Sequence, residues 1–345
     1  MTDYVNASWV DQLASIGVDV EPMSSINALA VQDLLHMIDR SDLGVVSFRG
    51  SEVDTFLQSQ TCNDHTKLSP QSAQLNGYCS PKGRLLALPL VASDATGSTV
   101  YWLLPKDIIE ATVKRLTMFV LRADVQIAIE TEWAVMGLVS GERGESTGLT
   151  DWVGERDAPP LATWEANGHW GIKARSAAGT ERALLFGPAD VVIRSLKACV
   201  DSLPAGAPKP VCSGAASWLW DDIDAGVPSI VAATQDAFVP QMVNLEPLEA
   251  LSFTKGCYPG QEIVARMQYL GKLKRTMVRF IADSVVSLSP GDAITAGDDE
   301  NAGVVVSIVT RDNTSNCLAV IKTSADQSSF SANGVSFNLQ SLPYA

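Results

Sequence analysis

The texture of the chain changes at about residue 272, and this change bounds the fold more than any other feature. Beyond it, residues 274–281, 303–310, 317–323 and 335–339 read as short strands, separated by Ser-Pro-Gly-Asp, Ala-Gly-Asp-Asp and Asp-Asn-Thr-Ser turns. Strands at this spacing, with no helical period between them, predict a small antiparallel β-barrel. Before it, helical and strand periods mix without strict alternation, the pattern of an α+β body. The reading divides the chain into a first α+β part over 1–130, a second over 131–270, the two free to interlace in sequence, and a barrel over 271–345.

Within the body, Ile26, Leu29, Ala30, Leu34, Leu35 and Ile38 recur at helical spacing and predict a helix over 25–38. A strand over 43–48 is broken by Gly50, and Ser51 stands where an N-cap would start a helix carrying Val53, Phe56 and Leu57. Residues 74–79 and 84–91 read as two strands. The turn Ser80-Pro81-Lys82-Gly83 joins them, because Pro fixes φ and Gly tolerates positive φ. Further helices are expected over 107–121, 188–200 and 217–225, the last stopped by Gly226 and Pro228. Residues 141–160, rich in Gly, Glu, Asp and Pro, read as a loop.

The 25 basic residues face 39 acidic ones, a net charge of −14. That balance disfavours a protein that coats nucleic acid or anionic lipid, and direct tRNA binding is not expected. With 46% hydrophobic and 19% charged residues, wholesale disorder is excluded. The six cysteines contain no C-x-x-C pair, which suits reduced cytoplasmic thiols better than a zinc ribbon or a disulfide framework. Cys62 and His65 lack neighbouring ligands, so no metal site is expected. No basic leader and no long apolar run is seen, and a cytoplasmic location without a membrane span is the expectation.

The most unusual stretch is Phe253-Thr254-Lys255-Gly256-Cys257-Tyr258-Pro259-Gly260-Gln261-Glu262. Two glycines and a proline impose a tight backbone before a helix whose inner face carries Ile263, Val264 and Met267. A thiol just before a helix N-terminus, with Lys255 nearby, is expected to have a lowered pKa, and the same position favours an anion. By residue type alone, a structural connection with Cys257 as apolar filler stands beside this reading. Glu262 and Arg266, four apart, read as a surface pair. From residue 255 to 279 the chain carries Lys255, Arg266, Lys272, Lys274, Arg275 and Arg279 against the single acid Glu262, a local charge of +5. A basic window on the motif-rich loop of an acidic chain points to a small anionic ligand.

These residues carry a family resemblance. Lys255-Gly256-Cys257-Tyr258-x-Gly260-Gln261-Glu262 resembles the signature of the YgfZ family, folate-binding relatives of the glycine-cleavage T-protein, an aminomethyltransferase. Asp222-Ile223-x-Ala225-Gly226-Val227-Pro228, Pro240-Gln241-Met242-x-Asn244-Leu245-Glu246, Gln268-Tyr269-Leu270-Gly271-Lys272, Pro81-Lys82-Gly83-Arg84 and Phe56-Leu57-Gln58-Ser59-Gln60 agree with it in order. The resemblance covers about residues 40 to 345. It implies two ferredoxin-like halves in a ring-like aminomethyltransferase-type body, followed by the barrel. It also implies tetrahydrofolate or a derivative as cofactor, and a role with iron–sulfur enzymes or cluster carriers, tRNA-modifying enzymes among them. Cys257 and Lys255 fall at the family's functional Cys and Lys, and Trp218 at a folate-contacting Trp. Tyr258, Asn244, Gln261 and Glu262 lie in the matched motifs as further cofactor contacts. Glu246 is placed to accept from the pterin N–H edge, and Arg266 or Lys272 to meet the glutamate tail. Leu43 stands where some relatives carry a second folate-contacting aromatic, and Asp222 where a more neutral residue is usual. A true aminomethyltransferase or demethylase, and a scaffold that has lost folate binding, remain open as alternatives.

Overall fold

The computed structural model describes residues 5–21, 35–140, 158–166, 168–176, 181–203, 205–269, 271, 273–325 and 330–344. In chain order the body comprises α1 (Ala7–Ser15), β1 (Asp19–Val20), β2 (Leu35–Asp39), β3 (Leu43–Arg49), α2 (Val53–Gln60), β4 (Gln74–Leu75), β5 (Tyr78–Cys79), β6 (Leu85–Ala87), β7 (Leu90–Ser93), β8 (Thr99–Pro105), α3 (Lys106–Val120), β9 (Gln126–Ile129) and β10 (Trp133–Ser140). It continues with β11 (Thr163–Ala166), β12 (His169–Lys173), β13 (Glu181–Pro188), α4 (Ala189–Asp201), β14 (Val211–Ser213), α5 (Ala216–Asp224) and α6 (Gln261–Tyr269). The C-terminal part holds β15 (Arg275–Ala282), β16 (Ala293–Ala296), β17 (Asp299–Arg311), β18 (Thr314–Lys322), β19 (Phe330–Ala332), β20 (Val335–Ser336) and β21 (Asn338–Gln340).

Two larger sheets and a two-stranded β5–β6 ribbon form the body. One runs β4-β7-β8-β3-β9 and is antiparallel. The other runs β1-β14-β2-β10-β13-β12-β11, with β14 parallel to β1 and β2 and the remaining pairs antiparallel. Strands before residue 40 thus pair with strands after residue 132. α2 and α3 cover the first sheet, with Ile108, Ile109, Thr112 and Leu116 on the buried stripe of α3. α1 and α4 cover the second sheet through Trp9, Leu13, Val192, Leu196 and Cys199. Between the layers, Tyr101, Trp133, Trp170 and Phe186 form one aromatic cluster. The C-terminal strands form a seven-stranded antiparallel sheet, β20-β19-β16-β17-β18-β15-β21, closed around Phe280, Phe330 and Phe337. An α+β body with a C-terminal antiparallel barrel-like sheet is what the change of texture at residue 272 predicts. No helix among the described residues is long and apolar enough to cross a membrane.

Three local expectations are corrected. Residues 25–34 of the expected 25–38 helix lie outside the described residues, and its last part is strand β2. All five residues of β2 are buried, because the strand lies between β14 and β10 and is covered on both faces. A strand buried on both faces shows no period-two signal, so its apolar run reads equally as a helix. Ser51 is not the N-cap of α2. Its N–H and hydroxyl donate to Asp124 Oδ2 at 3.0 and 2.7 Å, and the cap position falls on Glu52. The runs 74–79 and 84–91 each split in two. Gly77 separates β4 from β5, and Pro89, which has no N–H to donate, separates β6 from β7.

Candidate functional site

The signature loop is held by alternating buried and exposed residues. Lys255 and Tyr258 are buried, and Gly256 and Cys257 between them are exposed. The Lys255 ammonium donates to the carbonyls of Gln58, Thr61 and Asn63 at 2.7, 2.5 and 2.8 Å. Those carbonyls belong to the last turn of α2 and the residues just after it, where helical carbonyls lack intrahelical partners and the helix dipole is negative. An ammonium has three donors, and all three are used. Lys255 therefore ties the loop to α2 and has no N–H left for Cys257, which corrects the expectation that it partners the thiol. Burial holds the Lys255 amine down to about 8, opposed by Cys62 and Asp64 nearby. The ammonium lies 5.4 Å from the Tyr258 ring centroid, and burial pushes the Tyr258 phenol up.

Beneath these anchors, Cys62 and Cys79 are fully buried, and the Cys62 thiol donates to Ala250 O at 3.6 Å. Cys62 is seated over Gly77, where a Cβ would lie 2.7 Å from its Sγ. His65 pairs instead with Asp54, Nε2 to Oδ1 at 3.2 Å. Cys62, Cys79, Cys199, Cys212 and Cys317 are all buried, and Cys257 alone of the six cysteines is exposed. The filler reading of Cys257 is thereby removed.

The loop is docked on a second motif. Gly260 has φ +82°, a conformation that L side chains avoid, and any Cβ there would collide with Ser80 O and lie 2.5 Å from Gly83 N. Gly83, at φ +68°, faces back onto Gly260 O and Ile263. The turn is itself fixed by Ser80 Oγ donating to Asp236 Oδ1 at 2.7 Å and by Arg84 reaching Ala237 O. The Pro81-Lys82-Gly83-Arg84 turn and the signature loop, read separately in sequence, form one unit.

α6 then carries Gln261, Glu262 and Arg266. Gln261 is half-buried at the start of the helix, and its N–H bonds Tyr258 O at 3.2 Å. Glu262 and Arg266 are exposed and form no ion pair with each other, so the expected surface pair is absent and Arg266 is free to meet an anion. Gln241 donates to Val264 O at 2.7 Å and holds α6 from behind. Gln268 donates to Glu246 Oε1 at 3.2 Å, which brings Glu246 to the same helix. Asn244, at φ 56°, donates to Met277 O and accepts from Thr276, and so ties the body to β15. Lys272 lies outside the described residues.

Trp218 belongs to a separate cluster. It is 2% exposed, and its ring packs where Gly137 lacks a side chain. The Arg182 guanidinium lies 4.0 Å from the ring centroid and that of Arg40 lies 5.4 Å from it. The ring of Trp218, which the resemblance places at a folate-contacting position, is therefore covered by Arg182 and Arg40. Arg182 is fully buried. It donates to Asp222 Oδ1 at 2.9 Å and to Trp218 O at 3.2 Å, with Asp221 at 3.5 Å. The acid at position 222 is thus explained: it neutralises a buried arginine. Arg182 was missed in the sequence. Its only signal is one cation at the head of the apolar run Ala183-Leu184-Leu185-Phe186.

No family model matches the chain. The chain is 29% identical over 245 residues to the tRNA-modifying protein YgfZ of Colwellia psychrerythraea, covering 70% of each. It is 26% identical over 307 residues to that of Photobacterium profundum, covering 87% of this chain and 88% of the other. The chain is thus similar in sequence to YgfZ proteins over most of its length. Its structure also matches a glycine cleavage system aminomethyltransferase T from Bartonella henselae, with a TM-score of 0.69 over 92% of this chain and 88% of that one. At 12% identity, that likeness shows the fold. The aminomethyltransferase-type body implied by the signature is thus shared.

Proposed function

We propose that this YgfZ relative is a folate-binding accessory protein that supports iron–sulfur enzymes in the cytoplasm, tRNA-modifying ones among them. The observation that carries the reading is the single exposed thiol, Cys257, at the tip of a loop fixed on both sides by buried anchors. A side chain held this way is presented to a partner at little further entropic cost. Tetrahydrofolate or a derivative fits the polar groups around α6. Arg266 is exposed and unpaired, which suits the carboxylates of a glutamate tail. Glu246 gives one oxygen to Gln268 and keeps the other for a pterin N–H edge. Stacking on Trp218 does not fit unless Arg182 moves off the ring. When bound, the folate would supply one-carbon chemistry, and the chain's own part is to bind it and present Cys257.

Calorimetric titration tests the folate half of the reading. Tetrahydrofolate is expected to bind saturably, and Arg266→Ala to weaken it roughly tenfold, the size of one lost charge-assisted hydrogen bond. Absence of saturable heat would leave a scaffold. Methylene transfer from an aminomethyl donor to tetrahydrofolate would instead establish the aminomethyltransferase alternative.

A further inference from the structure

At the end of α3 the chain turns apolar side chains outward. Of the large apolar residues exposed among the described residues, Met118, Phe119, Leu121 and Ile129 lie on this helix end and on β9, the strand that follows it. Met118 is 60% and Leu121 87% exposed. Leu121 stands just after the helix at φ 49°, a backbone conformation that strains an L side chain. Packing does not explain that strain, because the side chain stands in solvent. Grouped apolar side chains of this kind mark an interaction surface.

Charge and backbone say what covers it. From residue 111 to 123 the chain carries Lys114, Arg115 and Arg122 and no acid, a local charge of +3 in a chain of −14. Lys114 lies one helical turn before Met118 and Arg115 one turn before Phe119, with the Arg115 guanidinium 5.8 Å from the Phe119 ring centroid. Lys114 and Arg122 are exposed and form no ion pair among the described residues. The acids that border the cluster are already engaged. Asp124 accepts from Ser51, Glu52 accepts from Asp124 N at 2.6 Å, and Glu130 pairs with Arg49 at 2.9 Å. Beside them, β9 packs on α3 and ends its sheet, paired with β3 on one side alone. Its sequence, Gln126-Ile127-Ala128-Ile129, holds no charge and no proline, and its pairing shows no bulge, so nothing blunts this edge.

We propose that this face docks an extended acidic segment of a partner protein. The segment adds to β9 as a further strand, lays apolar side chains on Met118, Phe119, Leu121 and Ile129, and sets carboxylates against Lys114 and Arg122. Lipid offers nothing to the free backbone groups of β9, and the acidic body disfavours both anionic lipid and nucleic acid. The proposal does not rest on the folate reading, because none of its residues belongs to the signature loop or α6.

Fluorescence anisotropy with the labelled peptide acetyl-Glu-Val-Glu-Leu-Glu-Phe tests it. Saturable binding that weakens as salt rises is expected, and the Lys-Val-Lys-Leu-Lys-Phe peptide is expected to bind at least tenfold more weakly. Of the two forms of the acidic peptide with alternate amides N-methylated, the one whose methyl groups face β9 is expected to lose binding. Arg122→Glu reverses an exposed charge, and Leu121→Gly removes the apolar side chain while relieving the strained backbone. Each is expected to weaken binding about tenfold, with the melting temperature unchanged or raised. Equal binding of the lysine peptide, full binding of both methylated forms, unchanged affinity in these variants, or no saturable binding would overturn the proposal. So would tighter binding of phosphatidylcholine–phosphatidylglycerol vesicles or of oligouridylate, or a dimer of this chain that Leu121→Gly abolishes, which would assign the face to lipid, to RNA or to a second copy.

Discussion

Replacing Lys255 by Met is expected to destabilise the protein by about 3–5 kcal/mol, the range found when one partner of a buried charged network is removed. The substitution keeps the stem and deletes only the ammonium, leaving the carbonyls of Gln58, Thr61 and Asn63 buried without their donor. Lys255→Arg is not expected to rescue it, because a planar guanidinium fork cannot reproduce three bonds converging on one nitrogen. The effect has a pH signature. The folded amine titrates at about 8, against an ordinary value of 10.5. Between those values the unfolded chain binds more protons, so this residue's contribution rises from pH 8 upward and is lost as pH falls to 8. The raised Tyr258 phenol works in the opposite sense only above its ordinary value of 10. Urea denaturation from pH 8 to 10 should therefore show the gap between wild type and Lys255→Met widening. A loss below about 1 kcal/mol would refute the tripod as a structural anchor.

Gly260→Ala is expected to cost about 3 kcal/mol. Roughly 1–2 kcal/mol comes from forcing an L side chain into the left-handed region, and roughly 1–3 kcal/mol from overpacking a site with no room. The obstacle is backbone, Ser80 O and Gly83 N, which a rotamer change cannot relieve. Because the loop is docked on this contact, the exposed Cys257 should also change its rate of labelling by a thiol reagent. Gly256→Ala, where a Cβ meets nothing within 4 Å, is the matched control and should leave the melting temperature nearly unchanged. Equal effects of the two substitutions would contradict the docking.

The sequence was most legible where chemistry is local. The turn residues after position 272 and the run from Lys255 to Glu262 each carry their meaning in neighbouring residues. The helical period of α3 reads correctly because one face is solvated. β2 was illegible because burial on both faces erases the period that marks a strand. The role of Lys255 was illegible for another reason: its partners are backbone carbonyls almost two hundred positions away, and carbonyls have no residue type. Arg182 and Asp222 form a pair 40 positions apart that only the packing of β13 on α5 reveals. The signature thus located the loop, whereas the direction in which each of its side chains points came from the fold.

The most direct test of the account is Cys257→Ser, expressed in cells lacking the wild-type protein. An exposed Cys-to-Ser change should leave stability within about 0.5 kcal/mol of wild type, so any loss of function would belong to the thiol. Modified-nucleoside content of tRNA, measured by mass spectrometry, reports the activity of iron–sulfur tRNA-modifying enzymes. The account predicts that these nucleosides fall to the level of the deletion strain while the variant protein stays folded and abundant. Wild-type levels of the same nucleosides in the Cys257→Ser strain would contradict it.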